Sequence, residues 1–306
     1  MAALTFLTED LDYYAKAHQT FLQYATKVGP VGNWSEEAFG RTVAADISAR
    51  CSQTSQLRIL GIGSGAGDVD RAMTKMLLPH FPKISNTVVE PSIKQLYRFK
   101  KLVEEETSSL QGVSFDWKNA TIDDYVGCLS ADTRENFHLI HVVHAIYYTS
   151  DLTKTLQVLY DSLAEGGILF VVATPEKSVF VKMPKVVANG EQQLSHSDTL
   201  SDNDVTKALD MLNVPYTIER GSWLVPCTPC FDESSPDGQL LLDFYTHVKH
   251  FRKSASSELL HKVLQLLRSS EVSVEKGGDI LIYRHWVHII VRKEQQAEDK
   301  TSSKEQ

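Results

Sequence analysis

Residues 57–68 read Leu57-Arg-Ile-Leu-Gly-Ile62-Gly-Ser-Gly-Ala-Gly67-Asp68. The short apolar run to Ile62 predicts a buried strand. Gly61, Gly63, Gly65 and Gly67 then predict a sharp turn into a helix, where bare backbone approaches a ligand and the helix start offers free N–H groups. Alone, the segment fits a tight turn, a dinucleotide fingerprint (Gly61-x-Gly63-x-x-Ala66) or another nucleotide loop. Its surroundings narrow the choice.

Downstream, strand patterns at Asn86–Glu90, Val113–Trp117, Phe137–Val143 and Ile168–Val172 alternate with helical patterns. Helices are expected to about Leu78, over Ile93–Glu105 and over Leu152–Leu163, the last closed by Ala164-Glu-Gly-Gly167 with glycine as a left-handed C-cap. Repeated strand–helix–strand units predict an α/β fold with a doubly wound, mostly parallel sheet. Upstream, Tyr14, His18, Phe21 and Ala25 share one face of a helix over residues 10–27, and a second covers Glu36–Ile47. Past residue 174 the spacing predicts a polar loop over 186–203 and a helix over Asp202–Leu212. It then gives a strand at Tyr216–Glu219, helices over Gln239–Phe251 and Ser256–Leu267, and strands at Gly278–Tyr283 and Trp286–Val291. From Glu294 no large apolar residue remains, so a disordered tail is expected over 294–306.

The 306 residues carry 31 Lys+Arg against 39 Asp+Glu, a net charge of −8, which argues against a nucleic-acid partner. Four cysteines make no disulfide framework, and Cys227-x-x-Cys230 in a Pro-rich loop has no further ligands nearby, so no metal is expected and two reduced thiols are. No signal peptide or membrane-length apolar run is read. The expectation is a cytoplasmic protein without membrane or nucleic-acid partners, acting as a monomer.

Glu90 ends the strand after the glycine loop, where a carboxylate accepts ribose hydroxyls in this topology. A nucleotide-type sugar follows, from nicotinamide or from S-adenosylmethionine. The stretch Phe137–Asp151, the amphipathic helix after it and the Gly166-Gly167 turn opening the next strand resemble Rossmann-like (class I) S-adenosylmethionine-dependent methyltransferases. Together with Val88-Val-Glu-Pro-Ser92, Gln95, Phe115-x-Trp117, Leu139-Ile-His141, Ile146-Tyr-Tyr148 and Leu242-Asp-Phe244, the chain is similar to the histamine N-methyltransferase family over roughly residues 10–293.

The resemblance implies a seven-stranded sheet in one domain over 1–293. Residues 1–50 would form a helical lid, 55–174 the cofactor core, and 175–293 the substrate-pocket inserts and last strands. Cofactor contacts would fall on Gly63, Ser64, Gly65, Glu90, Pro91, Gln95, Thr121 or Ile122, and Val143, with Thr121 favoured because its hydroxyl reaches an adenine edge. S-adenosylmethionine would leave as S-adenosylhomocysteine, and the partner would be a small-molecule methyl acceptor. Tyr14, His18, Tyr147, Tyr148 and Phe244 would line its pocket. His144 would orient the nucleophile or take its proton, with Tyr147 beside the methyl group.

Departures from the family bear on the substrate. Where the family grips a cationic amine with a carboxylate, a glutamine and an asparagine, this chain carries Lys27, His144 and His285, with Arg284 adjacent. Tryptophans that wall the family's pocket are absent near Ser178–Lys182. Lys27 against an alkylammonium gives repulsion. A carboxylate-bearing amine or N-heterocycle is therefore expected in place of histamine, unless Lys27 points to solvent and a biogenic amine is accepted. A catalytically silent cofactor-binding protein and a nicotinamide-dependent reductase are the readings from other classes.

Overall fold

A computed structural model describes residues 4–26, 35–129, 136–191 and 200–294. Its centre is a sheet of β1 (Leu57–Ile62), β2 (Ile84–Val89), β3 (Val113–Lys118), β4 (Phe137–Val143), β5 (Leu163–Ala173), β6 (Tyr216–Pro226), β7 (Ser273–Lys276) and β8 (Asp279–Arg292). The order is β3-β2-β1-β4-β5-β8-β6, and the short β7 pairs with β8 beside that path. β1 to β5 run parallel, and β8 is antiparallel to both β5 and β6. The doubly wound, mostly parallel sheet is as the alternation predicts, with β7 making an eighth strand.

Strand order reverses between β1 and β4, and Ile62 lies in register with Val89 on one side and Val142 on the other. The carboxyl ends of β1, β2 and β4 therefore open side by side, where ligands enter such sheets. β1, β4 and β5 are buried almost throughout, as parallel strands covered on both faces must be.

Helix α1 (Leu11–Thr26) precedes a π-helical stretch at Ser35–Ala44, which runs into α2 (Ala45–Arg50). Then come α3 (Asp68–Leu77), α4 (Ile93–Glu105), α5 (Ile122–Cys128) and α6 (Leu152–Asp161). The chain continues through α7 (Val179–Glu191), α8 (Asp202–Met211), α9 (Pro236–Thr246), α10 (Phe251–Ser254) and α11 (Ser257–Arg268). α1 is fixed to α9 by a buried carboxylate. Asp243 accepts from the Tyr13 hydroxyl at 2.7 Å and from the His250 and Phe251 amides at 2.8 Å each.

Several expectations are corrected. α6 stops at Asp161, and Gly166 (φ +75°) lies inside an irregular start of β5, not at a helix C-cap. Gly167 is confined there: a Cβ would stand 2.9 Å from the Phe137 carbonyl. The loop expected from 186 begins instead within α7, because Val179, Val181, Met183 and Val187 turn a buried face inward despite Pro184. The helix expected over 239–251 breaks where His247 and His250 take left-handed conformations, φ +57° and +54°. The two last strands are one, β8, and the strand at Tyr216 extends to Pro226 along it. Lys27 and the tail from 295 lie outside the described residues. No helix among the described residues is long and apolar enough to cross a membrane.

Candidate active site

Gly63, Gly65 and Gly67 hold left-handed backbone, with φ of +67°, +56° and +79°. Two of them also sit in tight quarters. A Cβ on Gly63 would stand 2.3 Å from that of Ala145, and one on Gly67 2.2 Å from the Phe99 ring. The Gly63–Ala145 contact joins the glycine loop to the end of β4. Beneath the loop, Ser64 Oγ donates to Asp70 at 2.7 Å, and Asp70 lies 3.4 Å from His141 Nε2. Both are buried. Burial pushes the Asp70 carboxyl up and the His141 imidazole down, while their mutual attraction works against both shifts.

Glu90, 7% exposed, ends β2 facing this loop. One carboxylate oxygen accepts from Gly65 N–H and the other from Ser92 N–H, both at 2.8 Å. Burial raises its pKa, and those two hydrogen bonds oppose the rise. Lone pairs remain on both oxygens for further donors. Gln95, in the first turn of α4, has its Oε1 buried with no partner among the described residues. Asn119 donates to the Glu90 and Pro91 carbonyls at 3.0 and 2.8 Å, fixing the loop after β2. Thr121 caps α5: its hydroxyl donates to Asp124 at 2.7 Å and accepts from the Asp124 amide at 3.1 Å. Ile122 is buried beside it, and Val143 is the last residue of β4.

His144 follows Val143 with φ +51°, a conformation rarely adopted by a side chain of this size. Its Nε2 lies 3.3 Å from Arg284 Nη2, and its Nδ1 lies 3.4 Å from the Tyr147 hydroxyl. A guanidinium only donates, so Nε2 is an acceptor and the ring is neutral with its proton on Nδ1. Tyr147 in turn hydrogen-bonds Thr174 at 2.7 Å. Burial, then Arg284, then His288 and His18 hold the His144 pKa well below the ordinary imidazole value.

α1 contributes the opposite wall. Tyr14 lies 5.9 Å from His18 and 6.1 Å from Phe244, and His18 stacks on Phe244 at 5.4 Å. Tyr14 also hydrogen-bonds Tyr148, and the Glu90 charge acts on it, which puts α1 above the cofactor loop. Burial and Arg284 push the His18 pKa down to about 4.

The structure thus brings Gly63, Ser64, Gly65, Glu90 and Gln95 together below, and Tyr14, His18, His144, Tyr147, Tyr148 and Phe244 above. His285 is not among them. It stacks on Tyr283 at 5.7 Å, and alternation along β8 turns it to the face opposite Arg284. Sequence reasoning names Arg284 only as the neighbour of His285, and the alternation that turns it inward is seen once β8 runs unbroken through 284. Asp70 was missed; it sits one turn into the helix after the glycine loop.

A glycine cradle, a buried carboxylate with lone pairs to spare and the orphaned Gln95 oxygen fit the nucleoside of S-adenosylmethionine. On this sheet, with a polar aromatic cluster at the end of β4, they define an S-adenosylmethionine-dependent methyltransferase. The chain belongs to the methyltransferase-domain family, whose profile matches residues 36–263. It is similar to histamine N-methyltransferase of Danio rerio, 29% identical over 90% of this chain and 94% of the relative. Carnosine N-methyltransferase 2 of Gallus gallus is 26% identical over 88% of this chain and 83% of its own length. A solved structure from Bacillus halodurans C-125 shares the fold at a TM-score of 0.50 and 14% identity, over 82% of this chain and 99% of that one.

Proposed function

We propose that the protein methylates a nitrogen of a small metabolite, and that this acceptor is a carboxylate-bearing amine or N-heterocycle in preference to histamine. The observation that carries the reading is His144, held neutral at the end of β4 beside the Gly63–Ala145 contact. The relatives' names point to histamine and to carnosine, both imidazole compounds, and carnosine alone has a carboxylate. The charge of the site favours the second kind of acceptor. Among the described residues, the cation facing the aromatic cluster is Arg284, and no carboxylate pairs with it.

S-adenosylmethionine, when bound, supplies a methyl group on a sulfonium, already activated for in-line displacement. What remains for the chain is alignment and a free lone pair on the nucleophile. Glu90 accepts the ribose hydroxyls, Gly63 and Gly65 let the backbone close on the cofactor, and Gln95 Oε1 takes a further donor. Tyr14, Tyr147 and Phe244 enclose the acceptor ring. The Arg284 charge disfavours a protonated nitrogen nearby, which keeps an imidazole acceptor nucleophilic near neutral pH. His144, with Nδ1–H toward Tyr147, orients it.

The test is transfer of labelled methyl from S-adenosylmethionine to histamine, carnosine, histidine and related N-heterocycles, with the methylated atom located by mass spectrometry and NMR. An N-methylated, carboxylate-bearing product is expected. Tight S-adenosylhomocysteine binding with no transfer to any acceptor would overturn the reading and leave a silent cofactor-binding protein.

A further inference from the structure

Three buried hydrogen-bond donors without partners gather on one side of the acceptor site. Among the described residues, Arg284 Nη1 is enclosed with no hydrogen-bond partner, as are the Trp223 indole nitrogen and the Tyr245 hydroxyl. Trp223 stands directly across the β6–β8 ladder from Arg284, so the two side chains leave the same face of the sheet. Phe180 lies 4.7 Å from the Arg284 guanidinium and 5.5 Å from the Tyr245 ring, tying the third donor to the group. Native proteins satisfy roughly nine in ten buried polar atoms, so three orphaned donors together call for an explanation.

An acceptor-only group supplies it. A guanidinium whose Nη1 is shut away from water, with no counter-ion among the described residues, is costly to hold, and its planar fork matches the two oxygens of a carboxylate. Phe180 keeps that plane in place, and Nη2 gives one of its two hydrogens to His144. Among the described residues, the titratable groups that interact with Arg284 are His144, His18, His285, Tyr14, Tyr147 and Tyr245, none of them an anion near neutral pH. We propose that Arg284, with Trp223 and Tyr245, is the receptor for a carboxylate on the methyl acceptor. This rests on the N-methyltransferase reading and adds to it the residues that set acceptor charge.

Paired probes that differ only in the carboxylate test it: L-histidine against histamine, and carnosine against its decarboxylated analogue. Each is titrated calorimetrically into the S-adenosylhomocysteine-loaded protein. In both pairs the carboxylated member is expected to bind about tenfold tighter or more, the range for hydrogen bonds to a charged group. Arg284→Met removes the preference, Arg284→Lys restores part of it, and S-adenosylhomocysteine affinity stays unchanged in both, which shows that the variants are folded. Equal affinity within both pairs, failure of all four to bind, or a preference that survives Arg284→Met overturns the assignment. Labelled transfer to the same probes separates the two claims. N-methylation of both members at equal efficiency removes the carboxylate receptor and keeps the activity. Arg284-dependent binding without N-methylation removes the activity and keeps the receptor.

Discussion

Arg284 Nη2 donates to His144 Nε2 across 3.3 Å, so a cation on β8 holds the imidazole at the end of β4 neutral. Burial is the larger cause of that imidazole's low pKa and Arg284 the next. Removing the guanidinium while leaving the burial should therefore raise the His144 pKa toward its ordinary value. Ring-proton NMR titration of the wild type and Arg284→Met reads it directly. An unchanged titration would show that the contact does not set the protonation state.

The same substitution should stabilise the protein when no acceptor is bound. A half-buried guanidinium with no counter-ion among the described residues is replaced by an apolar chain of similar length, which removes its desolvation cost. Urea unfolding measures this, with higher stability expected for Arg284→Met. A strong loss of stability would mean that the guanidinium is satisfied within the fold and needs no ligand.

Glu90→Gln keeps the shape of the residue but makes one carboxylate oxygen an amide. It should weaken S-adenosylhomocysteine binding by about 1–3 kcal/mol, through the ribose and through the Gly65 amide that Glu90 now orients at 2.8 Å. Calorimetry is the measurement, and wild-type affinity in the variant would place the sugar elsewhere.

Gly63 and Gly65 separate steric confinement from backbone strain. Both have positive φ, but a Cβ on Gly63 meets Ala145 at 2.3 Å, whereas one on Gly65 has no atom within 4 Å. Gly65→Ala should cost about 1–2 kcal/mol, the left-handed penalty alone. Gly63→Ala should cost clearly more and also push the end of β4 away from the loop. Thermal melts of the pair check the order, and equal losses would refute it.

Acid should destabilise the fold steeply. His138 and His288 are held down to about 4 chiefly by burial, as His18 is by burial and Arg284. Their folded pKa values lie below the unfolded value near 6.5, so the unfolded chain takes up protons first. The stabilisation is complete above about pH 6.5 and is lost as the pH falls toward 4, on the order of 3 kcal/mol for fully buried His288 alone. Urea midpoints measured from pH 7.5 to 4.5 should fall throughout this window. A flat profile would show that these rings are protonated in the fold.

The cofactor half was legible because its signals are local. A glycine run, an acid at the end of the next strand and an unbroken apolar β4 each occupy a few consecutive residues. The acceptor half depends on partners distant in the chain. Arg284-His285 interrupts an apolar run and splits it into two strand patterns, yet the ladder with β6 carries β8 straight through it. Only that continuity turns 284 inward and 285 away. Val179, Val181, Met183 and Val187 marked α7, but the polar residues that follow masked it. Thr121 was expected at an adenine edge because of its hydroxyl, and the structure shows that hydroxyl occupied in a helix cap. The short β7 has too little pattern to be seen before β8 is in place.

β8 is held by backbone ladders on both sides, to β5 and to β6, and those bonds do not depend on which side chain stands at 284. On the proposed role of Arg284, charge selection is thereby separable from the backbone pairing of the sheet. One codon would then change the acceptor preference from anionic to neutral with the ladders intact, while Gly63 and Gly67, confined by Ala145 and Phe99, admit no such exchange. An enzyme built this way can change its metabolite within a lineage and keep its methyl donor.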